Sequence, residues 1–386
     1  MDKAAFQHSP AGRLVPTLNG QFGFVPNPLP PVISSDAILT GLVNATQALG
    51  ELNGVLRTLA DPYLLIQPLQ AREALTSSSM EGTFTPVDAL LLAEAGFGGE
   101  QAQSNDTREV FNYSVALRKA VSSLEKIPLS LRTIRGAHSD LMRGVTRVRG
   151  AHVRAGEFKE YQNWIGAAAI EAARFVPTPP SETLNCLNQL ELYLHRSDRD
   201  QTPALIDAAL MHYQFETIHP FADGNGRVGR ILIPVMLYER RALTHPALFL
   251  SRALETRKDD YIDRMFEVSR SGDWIAWINF FMEIVAQTCR DTIATADTLL
   301  TMRERYRKQL QEAGRSALLL SSVDRLFIHP VFSIPQLAGH LDVTYPAAQK
   351  NLNTLLRLGI VEEIGGTSHP KYFAAREILN TITGKP

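Results

Sequence analysis

The sequence predicts a mainly α-helical protein: a helical bundle with one small β-hairpin, followed by a compact C-terminal domain of two short helices and a second hairpin. Three observations predict it. Apolar residues recur at three- and four-residue spacing through most of 37–312, the signature of helices that bury one face. Alternation of strand type is confined to one piece, 156–166, in that span. Beyond about 315 the pattern changes to two short helical segments and a glycine-tipped hairpin. The chain thus divides into N-terminal segments (1–105), a helical core (106–312) and a C-terminal domain (313–386).

At 386 residues there is ample core for two or three domains. A formal net charge of −1 argues against a dedicated nucleic-acid or membrane-surface binder. Cys186 and Cys289 are the two cysteines, so no disulfide framework or zinc-ligand cluster is expected. No apolar run is long enough to cross a bilayer, and the first residues carry no apolar signal core, so a cytoplasmic protein is expected.

Residues 1–35, rich in Pro and Gly, read as an extended arm. Ser34-Ser35-Asp36 offers caps for a helix over 37–59, with Ile38, Leu42, Ala45, Leu49, Leu52 and Leu56 on one face; Asp61-Pro62 breaks it. The next helix, 64–81, is interrupted near its start by Pro68 and stopped by Gly82. A short helix over 86–95 ends at Gly96-Phe97-Gly98-Gly99, and helices follow over 107–124 and 129–145. On the last of these, His138 shares a face with Ile134 and Leu141 and reads as a packing histidine. Arg143, Arg147, Arg149 and Arg154 lack interleaved aromatics and read as a solvated edge.

Segment 156–166 is the expected β-hairpin, and 175–180 is a proline-stiffened connector. Ser181 caps a helix carrying Leu184, Leu187, Leu190 and Leu194. Residues 203–216 form a strongly apolar helix, and 231–238 are apolar nearly all round, as in a central buried helix. Farther on come a helix with Thr256 and Tyr261, one opened by Asp273-Trp274 with Cys289 in its buried stripe, and a charged connecting helix over 288–312. Helices over 333–341 and 345–358, joined by Asp342-Val343-Thr344, precede a hairpin tipped by Gly365-Gly366: a helix-turn-helix with a wing. Its second helix offers Gln349, Lys350, Asn351, Asn353 and Arg357, but the wing carries Glu362 and Glu363. DNA, protein and dimerisation partners all stay open.

Between the two core helices runs His219-Pro220-Phe221-Ala222-Asp223-Gly224-Asn225-Gly226-Arg227-Val228-Gly229-Arg230. Pro220 lacks an N–H and drives His219 out of the helical region. Gly224, Asn225 and Gly226 permit the tight turns that aim successive N–H groups at one point, and a helix begins beyond them. Unpaired N–H groups and the positive dipole end favour an anion there, and Arg227 and Arg230 add two guanidinium groups to one face. Together these describe a phosphate cradle. Asp223 supplies the hard oxygen that a phosphate-bound Mg²⁺ takes. His219 is the group in the stretch whose ordinary pKa suits proton transfer near neutrality.

The pattern His-x-Phe-x-(Asp/Glu)-Gly-Asn-Gly-Arg-x-x-Arg resembles that of Fic domains at every specified position, and the likeness runs from about residue 25 to the end. The resemblance implies a protein adenylyltransferase: a Fic helical bundle with a hairpin flap, then a winged helix. His219 is then the base, Asp223 the Mg²⁺ ligand, and Gly224, Asn225, Gly226, Arg227, Val228, Gly229 and Arg230 the ATP contacts, with Thr256 and Tyr261 near the adenine. Thr256 stands where many relatives have Asn, and Lys159 where many have Arg. Ser77, Glu81 and Gly82 fit the inhibitory pattern (Ser/Thr)-x-x-x-Glu-(Gly/Asn), with Glu81 pairing Arg230 and so displacing the terminal phosphate of ATP. Read without the family, Glu81 is an ordinary residue of a solvated helix face. The resemblance further implies that Gln162, Asn163, Trp164 and Ile165 of the flap dock a target protein that bears an exposed hydroxyl, by strand addition. Packing of Trp164 and Ile165 is compatible with that role. A homodimer is a family-level expectation.

Two other functions stay open. Glu81 could position a water for removal of AMP from a modified protein. Alternatively the nucleotide site senses ATP for a DNA-binding regulator acting through the winged helix, against which the intact His219 and Asp223 argue. The residues name neither the target nor the choice between Tyr and Ser/Thr.

Overall fold

The structure is a computed structural model and describes residues 1–59, 61–96, 104–145, 154–312, 317–364 and 371–384. The expected stop at Phe97-Gly98-Gly99, Arg147, Arg149 and the Gly365-Gly366 tip lie outside the described residues.

The N-terminal stretch is not an extended arm. Helix α1 (Lys3–Phe6) is capped by the Asp2 carboxylate, which accepts from the Ala4 N–H at 3.0 Å. Strands β1 (Gly12–Pro16) and β2 (Phe22–Pro26) pair antiparallel, Gly12 with Pro26 and Pro16 with Phe22. The turn between them contains Asn19 and Gly20, both left-handed at φ 54° and 69°. Pro16 and Pro26 stand at strand ends, where the ladder does not require their missing N–H groups. Phe6, Phe24, Phe175 and Phe266 pack their rings beneath this hairpin. The Phe24 N–H donates to Val176 O at 2.9 Å and the Thr178 hydroxyl to Phe24 O at 3.1 Å. The proline connector is therefore docked on β2.

The helices continue as α2 (Asp36–Thr58), α3 (Tyr63–Ser79), α4 (Val87–Glu94), α5 (Asn105–Ser123) and α6 (Leu131–Leu141). Helix α3 runs through Pro68 and ends before Glu81 rather than including it. Segment 156–166 contains no strand, which corrects the expected hairpin. Its one bridge pairs Ile165 with Phe175 across a longer loop. The physical reason is that Lys159 and the Asn163 amide bond the loop at 218–221, so this part of the chain folds onto that loop instead of onto itself.

Next come α7 (Pro180–Leu194), α8 (Ala204–Ile218), α9 (Asn225–Glu239), α10 (Ser251–Thr256) and α11 (Lys258–Ser271). Helix α7 starts on Pro180, whose fixed φ suits the first helical position, so Ser181 lies inside it and is not its cap. Helix α12 (Trp274–Glu312) is one unbroken 39-residue helix where two were expected; its sequence holds no Gly or Pro to interrupt it. Then follow α13 (Ala317–Ile328), β3 (Val331–Ser333), α14 (Ile334–Leu341), α15 (Tyr345–Arg357), β4 (Glu362–Ile364), β5 (Tyr372–Ala374) and α16 (Arg376–Thr383). Among the described residues no helix is long and apolar enough to cross a membrane.

By backbone proximity the chain forms two compact units, Met1–Asn53 with Asn112–Cys289, and Gly54–Phe111 with Arg290–Pro386. In the first, α8 is buried along nearly its whole length and packs on α7, α9 and β2. The fully buried Trp277 donates its indole N–H to Ala209 O at 3.0 Å. Buried Asp207 gathers Tyr193 Oη at 2.5 Å, Arg196 at 2.8 Å and Arg240, tying α7 and the end of α9 to α8.

In the second unit α3 packs on α13 and α16, and β5 lies between β3 and β4. Arg376 holds Glu362 at 2.7 Å and Asp88 at 2.8 Å. After α3 the chain turns through Gly82 at φ 82°, with the Thr83 N–H on Ser78 O and the Gly82 N–H on Ser79 O. This paired-bond helix stop needs a left-handed residue, and glycine takes that conformation without strain. Ser77 is buried, Glu81 half-buried and Gly82 exposed.

Candidate functional site

The loop at 219–224 joins two core helices of the first unit, α8 and α9. His219 ends α8 in the left-handed region, φ 50° and ψ 59°. Its N–H still reaches Phe215 O at 2.9 Å, so the residue caps the helix as its side chain turns out to about one-fifth exposure. Its Nδ1 lies 3.2 Å from Glu216 O and 3.9 Å from Glu216 Oε2. A carbonyl can only accept, so Nδ1 carries a hydrogen, and in the neutral ring Nε2 holds the lone pair.

Asn225 closes the loop. Its Oδ1 accepts the Phe221 N–H and its Nδ2 donates to Phe221 O, both at 2.8 Å. Gly224, left-handed at φ 78°, immediately precedes α9. The helix begins at Asn225, earlier than expected, so Gly226 and Arg227 belong to its first turn. An α-helix leaves the N–H groups of that turn without intrahelical carbonyls, and they point to where an anion is stabilised. Arg227 and Arg230 are buried on α9 and bring positive charge to the same end. Val228 and Gly229 are also buried; a methyl group on Gly229 would strike Glu216 and Phe215 of α8, so glycine there permits the close helix approach.

Asp223 Oδ1 accepts the Gly224 N–H at 2.6 Å and lies 3.7 Å from Arg227 Nη2. Its Oδ2 is buried and without a hydrogen-bond partner. An orphaned carboxylate oxygen beside an anion site fits a hard divalent cation. Among the described residues no group of three or more His, Cys, Asp or Glu could hold a metal by itself. Asp223 therefore fits a cation that takes most of its ligands from phosphate and water, as Mg²⁺ does.

His138 is a packing residue, as expected, but it packs on this loop. Its ring stacks on Phe221 at 3.7 Å and 5°. Its Nε2–H donates to Asp223 O at 3.1 Å and its Nδ1 accepts the Gly156 N–H at 2.9 Å. Both nitrogens are satisfied only in the neutral ring. Burial foremost, opposed by the Asp223 bond and aided by the positive charge of Arg227, brings its pKa down to about 4. Neither periodicity nor composition signals this contact.

The other candidates divide. Asn163 and Lys159 bond the loop directly. Gln162 is held by the Thr17 hydroxyl at 2.7 Å and donates to Pro177 O at 3.0 Å. Trp164 packs against Ile170, Ala173 and Val176, and the Ile165 N–H is taken by Phe175 O. Tyr261 is buried, with its hydroxyl 2.8 Å from His212 Nε2. Burial, and then the charge of Arg230, pushes His212 down to about 3, so its neutral ring accepts from Tyr261 and donates to Gly229 O. Thr256 is exposed and returns its hydroxyl to Arg252 O at 2.8 Å. Glu81, Ser77 and Gly82 belong to the second unit.

Comparison with known proteins places this geometry in a family. The Fic/DOC family profile matches residues 128–237 and the Fic/DOC family N-terminal profile residues 39–122, together half of the chain. The protein adenylyltransferase Fic of Drosophila melanogaster is 22% identical over 246 residues, 64% of this chain and 45% of that protein. That of Drosophila yakuba is 26% identical over the same shares. The chain thus spans less than half the length of these curated relatives. A Fic family protein of Desulfovibrio desulfuricans G20 superposes with a TM-score of 0.58 at 18% identity, covering 90% of this chain and 98% of that one. A Fic domain-containing signaling protein of Bacteroides thetaiotaomicron does so at 0.54 and 19%, covering 66% and 97%. These likenesses show the helical fold, and with the profile matches they establish that the chain belongs to the Fic/DOC family.

Proposed function

We propose that the chain transfers AMP from ATP to a Tyr, Ser or Thr hydroxyl of a target protein. The observation that carries the reading is one short loop with His219 at one end and the N-terminus of α9, beside the orphaned Asp223 Oδ2, at the other. Nε2 of His219 takes the proton as the hydroxyl oxygen bonds to the α-phosphorus. The bond from that phosphorus to the α–β bridging oxygen breaks and pyrophosphate leaves. First-turn N–H groups of α9 and Arg227 offset the developing negative charge, and Arg230 orients the terminal phosphate. Asp223 would hold Mg²⁺, which when bound neutralises charge on the α- and β-phosphates.

In the same reading Glu81 is a brake, its carboxylate engaging Arg230 in place of the terminal phosphate. Helices α14 and α15 with strands β3–β5 are read as a winged helix. It presents the exposed Gln349, Lys350, Asn353 and Arg357 to a protein or DNA partner.

The test incubates wild type, Glu81→Gly and His219→Ala with Mg²⁺ and ATP labelled on the α-phosphate and follows label on the protein by mass. A gain of one AMP, strongest in Glu81→Gly and lowered about 10²–10⁴-fold in His219→Ala with ATP still bound, supports the reading. No gain in any variant overturns the transfer chemistry, and equal gain in wild type and Glu81→Gly overturns the brake.

A further inference from the structure

Four successive carbonyls at the entry of the loop, those of Ile218, His219, Pro220 and Phe221, each accept a hydrogen bond from Lys159 or Asn163. Lys159 Nζ donates to Ile218 O at 3.2 Å and its backbone N–H to Pro220 O at 2.8 Å. Asn163 Nδ2 donates to His219 O at 3.2 Å and Phe221 O at 2.9 Å. The two side chains also hold each other, Lys159 Nζ to Asn163 Oδ1 at 2.8 Å. A carbonyl can only accept, so the Asn163 Nδ2 must face His219 O and Phe221 O, which leaves Oδ1 to accept from Lys159 Nζ and gives the amide one orientation.

This stretch of backbone needs outside donors. Carbonyls in the last turn of a helix have no intrahelical partner, and Pro220 brings no N–H of its own. His219 occupies a left-handed conformation that disfavours a residue with a Cβ. Such a conformation persists where the surroundings over-determine it, and here the bonds from 159 and 163 do so. Lys159 is 6% exposed, and burial pulls its pKa well below the ordinary lysine value; even the neutral amine keeps two N–H groups, enough for the Asn163 Oδ1 and Ile218 O bonds.

We propose that Lys159 and Asn163 are positioning residues for His219. They hold its backbone in the left-handed cap so that the imidazole is presented to the incoming hydroxyl, and their side chains serve the loop rather than the target. The proposal rests on His219 acting as the base. Its consequence is that residues 159 and 163 govern the chemical step, leaving nucleotide affinity to α9.

The experiment compares Lys159→Met, Lys159→Arg and Asn163→Asp in the full chain carrying Glu81→Gly. Three quantities are read: the single-turnover rate of AMP incorporation into the protein itself, the dissociation constant of Mg²⁺-ATP, and the ¹⁵N NMR signals of the His219 ring. Asn163→Asp keeps the shape and turns a donor into an acceptor facing two carbonyls. Lys159→Met keeps the apolar stem and removes the donor. Each is expected to lower the rate about 10–100-fold, the usual penalty for a small misplacement of a reacting group. ATP affinity stays unchanged, and the ring signal moves from the single Nδ1–H tautomer to a mixture. Lys159→Arg, which keeps a donor, retains most of the rate. Unchanged rates and ring signals in Asn163→Asp and Lys159→Met overturn the proposal. So does a loss of ATP binding in step with the rate, which marks a merely structural role. Should the parent protein transfer no AMP, the reading of its function fails, while the ring signals alone still decide whether 159 and 163 set the geometry of His219.

Discussion

Acid should loosen the loop at 219–224 through His138, by an amount set by its surroundings. The folded ring has a pKa of about 4 against an ordinary 6.5, because burial, and then Arg227, oppose its charge. Protonation would also remove the acceptor at Nδ1 that takes the Gly156 N–H. Between pH 6.5 and 4 the unfolded chain binds a proton here that the folded chain does not, so stability falls as pH falls through that window. The contribution is fully present above pH 6.5 and amounts to about 3 kcal/mol, from 2.5 units at 1.36 kcal/mol each. His138→Gln removes the titration while keeping a donor for Asp223 O. Trp164, Trp274 and Trp277 all belong to the first unit, so tryptophan fluorescence during urea unfolding reports on that unit. Wild type should lose about 3 kcal/mol more than His138→Gln between pH 7 and pH 4. Parallel pH profiles for the two proteins would refute the reasoning, whatever their stability at neutral pH.

Four further outcomes are expected. Gly224→Ala should destabilise by about 1–2 kcal/mol, since a Cβ in the left-handed region would also press Met142 Sδ at 3.2 Å and Leu141 Cδ2 at 3.3 Å. Gly50→Ala, exposed on α2 with nothing within 4 Å of its Cβ, should stabilise by about 0.5–1 kcal/mol; equal shifts in chemical denaturation would contradict the conformational argument. Asp207→Ala strands the Arg196 and Arg240 charges and should cost about 3–5 kcal/mol, a fall of roughly 10 °C or more in melting temperature; a change under about 2 °C excludes a central role for this cluster. Asp223→Asn should weaken Mg²⁺ binding in the presence of a non-hydrolysable ATP analogue, measured by titration calorimetry, with nucleotide affinity in the absence of metal little changed; equal Mg²⁺ affinity would remove Asp223 from the metal site.

The parts of this protein legible in sequence are those whose physics is local. Helices α2, α5, α8 and α9 announce themselves by apolar spacing that depends on neighbours three and four residues away. The loop 219–230 is legible for the same reason: Pro220, the glycines and the two arginines constrain their own backbone and charge wherever the chain puts them. The β1–β2 hairpin carried a readable cue in Asn19-Gly20, outweighed by four prolines between Pro10 and Pro28 that suggested an arm.

What tertiary structure decided is which distant groups complete the loop. His138 lies 81 positions before His219 and meets Phe221 and Asp223 because α6 brings it there. Lys159 and Asn163 alternate as strand residues should, yet their donors go to carbonyls about 60 positions away, which outbid a hairpin partner. Sequence determined the loop proposed to bind phosphate and which residues it contains, because turn conformation and helix polarity are short-range properties. Which nitrogen His219 presents follows from a local contact, Nδ1 on Glu216 O, but how its backbone is held is settled by hydrogen bonds from residues far apart in the chain, and no local pattern encodes such pairings.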